Sequence, residues 1–179
     1  MTAALWEQTS WFGEGSGVPP PLDDPPGRAH ADEVDHKQLS RVSILLVEDN
    51  RSDVNVIRRA LRDSGISFEL DVVSDGEEAL SFLTKEAEVS GYALPSIILL
   101  DWNLPRVSGS EVLAYIRQND RLRGIPVVVV TSTNSPADVR EIRKLGANAH
   151  FRKPTDLDAY LDLKTIVVDL LSEPPKSSS

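Results

Sequence analysis

Val42-Ser43-Ile44-Leu45-Leu46-Val47 runs directly into Glu48-Asp49-Asn50. A short β-branched, apolar run of this kind suits a strand buried on both faces of a parallel sheet, and here it ends in two carboxylates. Asn50 or Ser52 caps a helix in which Val54, Ile57 and Leu61 recur at helical spacing, and Gly65 ends it. The same alternation repeats downstream. Phe68 to Val73 reads as a second strand, and Gly76 opens a second helix with Ala79, Leu80 and Leu83 on one side and Gly91 at its exit. Pro95 precedes a third strand, Ile97 to Leu100, and Ser108 to Gln118 gives a third helix with Val112, Leu113 and Ile116 inward. Pro126 precedes Val127 to Val130. Pro136 suits the first turn of a helix striped by Val139, Ile142 and Leu145, which Gly146 ends. Ala149 to Arg152 is a brief fifth strand, and Asp156 to Leu171 a last helix.

Five β/α units between residues 41 and 172 require right-handed crossovers and one parallel sheet with helices on both faces. The expected fold is α/β, a doubly wound (βα)5 flavodoxin-like sheet of five parallel strands. Sheets of this kind place their sites at the carboxyl ends of the strands.

The rest of the chain narrows the class. A length of 179 residues suits one domain with tails. The absence of cysteine excludes a disulfide framework, a thiolate metal site and a cysteine nucleophile. A net charge of −9 argues against nonspecific nucleic-acid binding, which needs a basic face. No apolar run approaches the roughly 20 residues of a spanning helix. No Lys or Arg occurs in the first 27 residues, so no charged n-region opens a secretory signal, and a cytoplasmic protein with no membrane partner is expected. Residues 1–40 carry seven acidic and two basic side chains and the prolines 19–21, 25 and 26, and they read as a disordered acidic arm. Trp6, Trp11 and Phe12 in that arm read either as a docking motif or as part of an inert tail. Residues 173–179 read as a disordered tail.

The strand ends carry the chemistry. The first strand ends in Glu48-Asp49, the third in Asp101 and the fourth in Thr131-Ser132, and the fifth runs into Lys153-Pro154. Three carboxylates this close repel one another and need a cation. Oxygen donors without His or Cys point to Mg²⁺ or Mn²⁺ rather than zinc. Magnesium favours sites completed by a phosphate oxygen. Lys153 adds positive charge and Thr131 a hydroxyl, so the set suits a phosphoryl group in transfer. No glycine-rich phosphate loop is present, so the acceptor should be a side chain of the site, and Asp101 is the natural carboxylate nucleophile.

These residues resemble a known family. Val47-Glu48-Asp49-Asn50, Leu99-Leu100-Asp101-Trp102-Asn103-Leu104-Pro105, Val129-Val130-Thr131-Ser132 and Phe151-Arg152-Lys153-Pro154 look like the four signatures of a response-regulator receiver domain, over about residues 41 to 172. The spacings fit as well: 30 residues from Asp101 to Thr131 and 22 from Thr131 to Lys153. The resemblance implies that Asp101 accepts phosphate from a histidine kinase. It implies that Glu48, Asp49, Asp101 and the Asn103 backbone carbonyl hold Mg²⁺, that Lys153 binds a phosphoryl oxygen, and that Thr131 moves inward as the switch. Gly109 fits the family's turn into the third helix. Asn103 and Thr133, two positions beyond Asp101 and Thr131, would flank the water that hydrolyses the aspartyl phosphate. Thr133 offers that water no carboxylate.

Two departures stand out. The position of the family's switch aromatic holds His150, and strand alternation sends Phe151 to the opposite face. His150 is therefore either a pH-sensitive rotamer switch or an exposed strand residue. The stretch Lys85 to Leu94 is long, and with Asp-Trp-Asn-Leu-Pro-Arg it is similar to single-domain regulators paired with bacterial phytochrome-type kinases.

Only eight residues follow Leu171, too few for a DNA-binding output domain, so signalling is expected through protein contacts. A phosphorelay intermediate or a phosphate sink is the alternative. The last helix has two apolar stripes, Leu157, Leu161, Val168, Leu171 and Tyr160, Leu163, Val167, Leu170. One stripe packs on the sheet, and the other suits a homodimer interface or is the edge of a broad buried stripe. Two rival classes remain. A pseudo-receiver scaffold would signal normally with Asp101→Asn. A haloacid-dehalogenase-like phosphohydrolase needs a second Asp where Asn103 stands. Catalysis is accordingly expected only at the chain's own Asp101.

Overall fold

The structure is a computed structural model that describes residues 42–88, 93–133, 135–156 and 158–172. The expectations for the arm, the tail, Gly91 and Leu157 lie outside the described residues, as do residues 89–92 of the long stretch before the third strand.

The elements alternate as the sequence pattern requires: β1 (Val42–Val47), α1 (Arg51–Arg62), β2 (Phe68–Val73), α2 (Gly76–Glu88), β3 (Ile97–Asp101), α3 (Gly109–Gln118), β4 (Val127–Thr131), α4 (Pro136–Lys144), β5 (Ala149–Arg152) and α5 (Leu161–Ser172). All strands are parallel, in the order β2-β1-β3-β4-β5. The order reverses between β1 and β3, which opens a crevice at their carboxyl ends.

Alternation along the central strands builds two cores. Leu45, Val47, Ile98, Leu100, Val127 and Val129 face α2, α3 and α4, where Leu83, Leu113 and Ile142 meet them. Ile44, Leu46, Leu99, Val128 and Val130 face the other way and pack against Ile57 and Leu61 of α1 and Leu163 and Val167 of α5. Every residue of β3 and β4 is buried. The edge strand β2 alternates half-buried with exposed positions and leaves Val72 37% exposed.

Helix starts follow their caps. Asn50 accepts the Ser52 N–H, Ser108 forms a capping box with Glu111, and Ser135 accepts the Asp138 N–H with Pro136 in the first turn. Ser108 is thus the cap of α3 rather than its first helical residue. The last helix also begins later than its apolar pattern suggests. The Ala159 N–H reaches back to the Asp156 carbonyl, a 3₁₀ turn covers Asp158–Tyr160, and α5 starts at Leu161. Tyr160, Leu163 and Val167 pack inward, whereas Leu161 is 51% exposed.

Arg117 ties the far side of the sheet together. Its guanidinium donates to the carbonyls of Gly146, Arg123 and Ile125 and to Asn148 Oδ1, over 2.8–3.1 Å. Burial pulls its pKa below the ordinary arginine value.

Candidate phosphoacceptor and metal site

β1 stops where the polar residues begin. The Glu48 N–H still donates to the Val73 carbonyl at 3.0 Å, which extends the ladder by one bond and fixes Glu48 at the crevice. Glu48 is only 2% exposed. Its Oε1 accepts the Asn50 N–H at 3.2 Å, and its Oε2 lies 2.7 Å from Lys153 Nζ. Asp101 ends β3 at 5% exposure, with Oδ1 accepting the Asn103 N–H at 3.0 Å and Oδ2 also 2.7 Å from Lys153 Nζ. Lys153 is held by its own backbone, whose N–H donates to the Thr131 carbonyl at 2.8 Å.

The electrostatics follow from burial. Desolvation pushes the Glu48 carboxyl up from 4.5 to about 7; the Lys153 hydrogen bond opposes the rise and the Asp101 charge adds to it. Burial alone would lower the Lys153 pKa. Hydrogen bonds to Asp101, Asp53 and Glu48 outweigh it and hold the ammonium above the ordinary lysine range. A buried ammonium shared among carboxylates keeps its proton.

Oxygens of Glu48, Asp49 and Asp101 lie within 4.8 Å of one another, with Asp49 exposed and the other two buried. Each carboxylate keeps lone pairs beyond those given to Lys153 and the backbone. An all-oxygen set of this size, open to solvent at Asp49, fits a hard divalent cation that retains water. A cleft lined by Glu48, Asp49, Arg51, Asn55 and Glu78 opens beside it.

The remaining predicted residues lie on β4, β5 and the loops after β3 and β4. Thr131 is fully buried at the end of β4, and its hydroxyl accepts the Thr133 N–H at 3.1 Å. The Thr133 hydroxyl serves the start of α4: it accepts the Ser135 N–H at 3.0 Å and donates to Asp138 Oδ2 at 2.7 Å. Asn103 is exposed beside Asp101. His150 is exposed on β5, in register with Val129 and bordering a cleft with Val139, Ile142 and Arg143 of α4. Phe151 faces the other core, its ring 5.6 Å from that of Tyr160, as alternation requires.

Gly109 explains how α3 approaches the site. A Cβ there would lie 2.3 Å from the Asp101 carbonyl oxygen and 2.8 Å from Trp102 Cα. The Gly109 N–H donates to the Trp102 carbonyl at 3.2 Å, so the helix start is seated directly on the end of β3.

Three features escaped the sequence reading. Asp53 of α1 places Oδ2 2.8 Å from Lys153 Nζ, a third carboxylate on the same ammonium. Its position four residues after Asp49 was the available signal, but an acid in a first helical turn ordinarily reads as a response to the helix dipole. Asp75 is fully buried; it accepts the Glu78 N–H at 2.8 Å and pairs with Arg106, a residue at φ 66° in the loop after β3. That pair fastens the Asn103 loop to the start of α2. Trp102 is buried next to Asp101.

Residues 44–163 match the response regulator receiver domain family. The chain is 41% identical over 114 residues to Response regulator Rcp1 of Synechocystis sp., covering 64% of this chain and 78% of the relative. Among solved structures, the phosphorylated cyanobacterial phytochrome response regulator RcpA superposes with a TM-score of 0.69 at 36% identity, covering 77% of this chain and 100% of that one. The Mn²⁺-bound form of Rcp1 gives a TM-score of 0.62 at 37% identity, covering 76% of this chain and 96% of that one. The family match spans residues 44–163, well over half of the chain, on the strand order described above: the chain belongs to the response regulator receiver family.

Proposed function

We propose that this chain is a two-component response regulator whose Asp101 accepts a phosphoryl group from the phosphohistidine of a histidine kinase. The observation that carries the reading is the pair of 2.7 Å contacts from Lys153 Nζ to Asp101 and Glu48, beside Asp49. They support the reading because a carboxylate that could accept the group, a fixed ammonium and further acidic oxygens meet at one sheet edge.

In the transfer, an Asp101 carboxylate oxygen forms the P–O bond as the donor's P–N bond breaks, and the electron pair leaves with the imidazole. Lys153 donates to a phosphoryl oxygen and offsets the charge there. Glu48, Asp49, Asp101 and the Asn103 backbone carbonyl would hold Mg²⁺ or Mn²⁺, which when bound supplies further positive charge to the phosphoryl oxygens. Thr131 gives up the Thr133 N–H and turns its hydroxyl toward the phosphoryl group. His150, on the α4 side of β5, is the residue whose rotamer follows that turn. Asn103 and Thr133 border the water that later hydrolyses the acyl phosphate.

The kinase is of the phytochrome type, by likeness to RcpA, so the input is red light relayed by phosphotransfer in the cytoplasm. Residues 41–172 form the receiver, flanked by an arm over 1–40 and a tail over 173–179. Output runs through protein contacts, and the outward side of α5 around Leu161 is the self-association face. No described helix is long and apolar enough to cross a membrane.

The test is phosphotransfer from a panel of purified, labelled histidine kinases. The expected result is rapid transfer from a phytochrome-type kinase and slow transfer from the others. Absence of transfer from every kinase contradicts the proposal.

A further inference from the structure

Asp53 stands at the third position of α1, where an acid usually completes a reciprocal cap or answers the helix dipole. The cap here is satisfied without it. The Asn50 side chain takes the Ser52 N–H, and the Asn50 N–H goes to Glu48 Oε1. Asp53 turns instead toward Lys153, with Oδ2 2.8 Å from Nζ and its side chain 25% exposed.

An ammonium has three N–H donors. Glu48, Asp101 and Asp53 lie within 2.7–2.8 Å of Lys153 Nζ and together engage all three. A phosphoryl oxygen gains one of those donors only when a carboxylate releases it. Glu48 and Asp101 belong to the oxygen set that fits a cation, and Asp101 is also the proposed acceptor, so in that reading both would change partners when the site is loaded. Asp53 lies outside that set. Of the three, it alone is free to stay on the lysine throughout.

We propose that Asp53 is a positioning residue: from α1 it anchors the Lys153 ammonium while Glu48 and Asp101 change partners, so the freed donor passes to the phosphoryl group with the lysine already in place. The inference rests on the phosphoacceptor reading and adds to it a link between α1 and the lysine. Asp53 touches none of the reacting atoms and acts through Lys153 alone.

The test uses the full chain with Asp53→Asn, Asp53→Glu, Lys153→Ala and the Asp53→Asn/Lys153→Ala double variant. Phosphorylation by acetyl phosphate is timed by intact mass at saturating Mg²⁺, and urea midpoints are measured without metal. Asp53→Asn should slow phosphorylation about tenfold, the scale set by losing the placement of one catalytic group. Asp53→Glu should recover most of that loss. With Lys153→Ala present, Asp53→Asn should have no further effect on the rate, and the urea shifts of the two single variants should fail to add. The Mg²⁺ titration midpoint, read from Trp102 fluorescence in a Trp6→Phe/Trp11→Phe background, should move much less than the rate.

An Asp53→Asn protein as fast as wild type overturns the inference, as do additive effects in the Lys153→Ala background. Either result leaves the phosphoacceptor reading intact, since wild type is then phosphorylated. A wild-type chain that takes no phosphoryl group overturns both.

Discussion

Lys153 Nζ lies 2.7 Å from Asp101 Oδ2, and the contact joins the ends of β5 and β3 across the intervening strand β4. The contact is 52 residues long in sequence and buried at both ends, with side chains 7% and 6% exposed. In the proposed reaction it fixes where positive charge meets the acceptor before any phosphoryl group arrives.

Removing that ammonium leaves Glu48 and Asp101 as neighbouring buried carboxylates. Breaking a buried pair on one side costs about 3–5 kcal/mol. We predict that Lys153→Ala lowers the urea midpoint strongly in metal-free buffer and that Mg²⁺ restores part of the loss, because the cation binds only the folded site. A variant as stable as wild type without metal, with no response to Mg²⁺, contradicts this.

Glu48 gives the metal-free protein a pH dependence. Its carboxyl is raised to about 7 when folded, from 4.5. The folded chain therefore binds this proton where the unfolded chain has released it. The group favours folding fully below about pH 4.5, and its contribution fades as pH rises through about 7. At 1.36 kcal/mol per unit the loss is on the order of 3 kcal/mol. Urea midpoints of wild type and Glu48→Gln should converge at low pH, and wild type should fall relative to the variant as pH rises. Mg²⁺ requires the ionised carboxylate, so its affinity should increase through the same window. Parallel stability curves for the two proteins are the disproof.

Gly109→Ala tests the seating of α3. The added Cβ meets backbone rather than a flexible side chain, the Asp101 carbonyl oxygen at 2.3 Å, so strand end or helix must shift. Overpacking of this kind costs about 1–3 kcal/mol. Mg²⁺ affinity should fall with stability, since the displaced backbone carries Asp101. Gly124, with open space around its Cβ position, is the control: Gly124→Ala should change neither.

The lifetime of the phosphorylated state depends on what stands beside the hydrolytic water. The Thr133 hydroxyl is committed to the Ser135 N–H and to Asp138. It presents no carboxylate of its own to orient water. The wild-type phosphoryl group should outlast that of Thr133→Glu, followed by intact mass after donor removal. Equal or faster decay in wild type refutes this.

What the sequence made legible, and what it hid, divides by the range of the physics. Glu48, Asp101, Thr131 and Lys153 were readable because a buried parallel strand leaves a sharp boundary between apolar and polar residues, and sheet topology gathers those boundaries at one edge. The alternation that sends Phe151 toward Tyr160 and leaves His150 outward follows from a period of two. Asp53 was hidden by an adequate local explanation, helix-dipole stabilisation, and its contact with Lys153 is made 100 residues away in sequence. The Asp75–Arg106 pair joins two loops 31 residues apart, and no local period marks it. The late start of α5 escaped for a similar reason: the apolar positions near Tyr160 fit a helix, but the turn begun at Asp156 is 3₁₀.

The central claim, that Asp101 is a phosphoacceptor, is tested most directly by intact mass after incubation with acetyl phosphate and Mg²⁺. One added phosphoryl group is expected on wild type and none on Asp101→Asn. An unmodified wild type, or an Asp101→Asn protein that gains the same adduct, would contradict it.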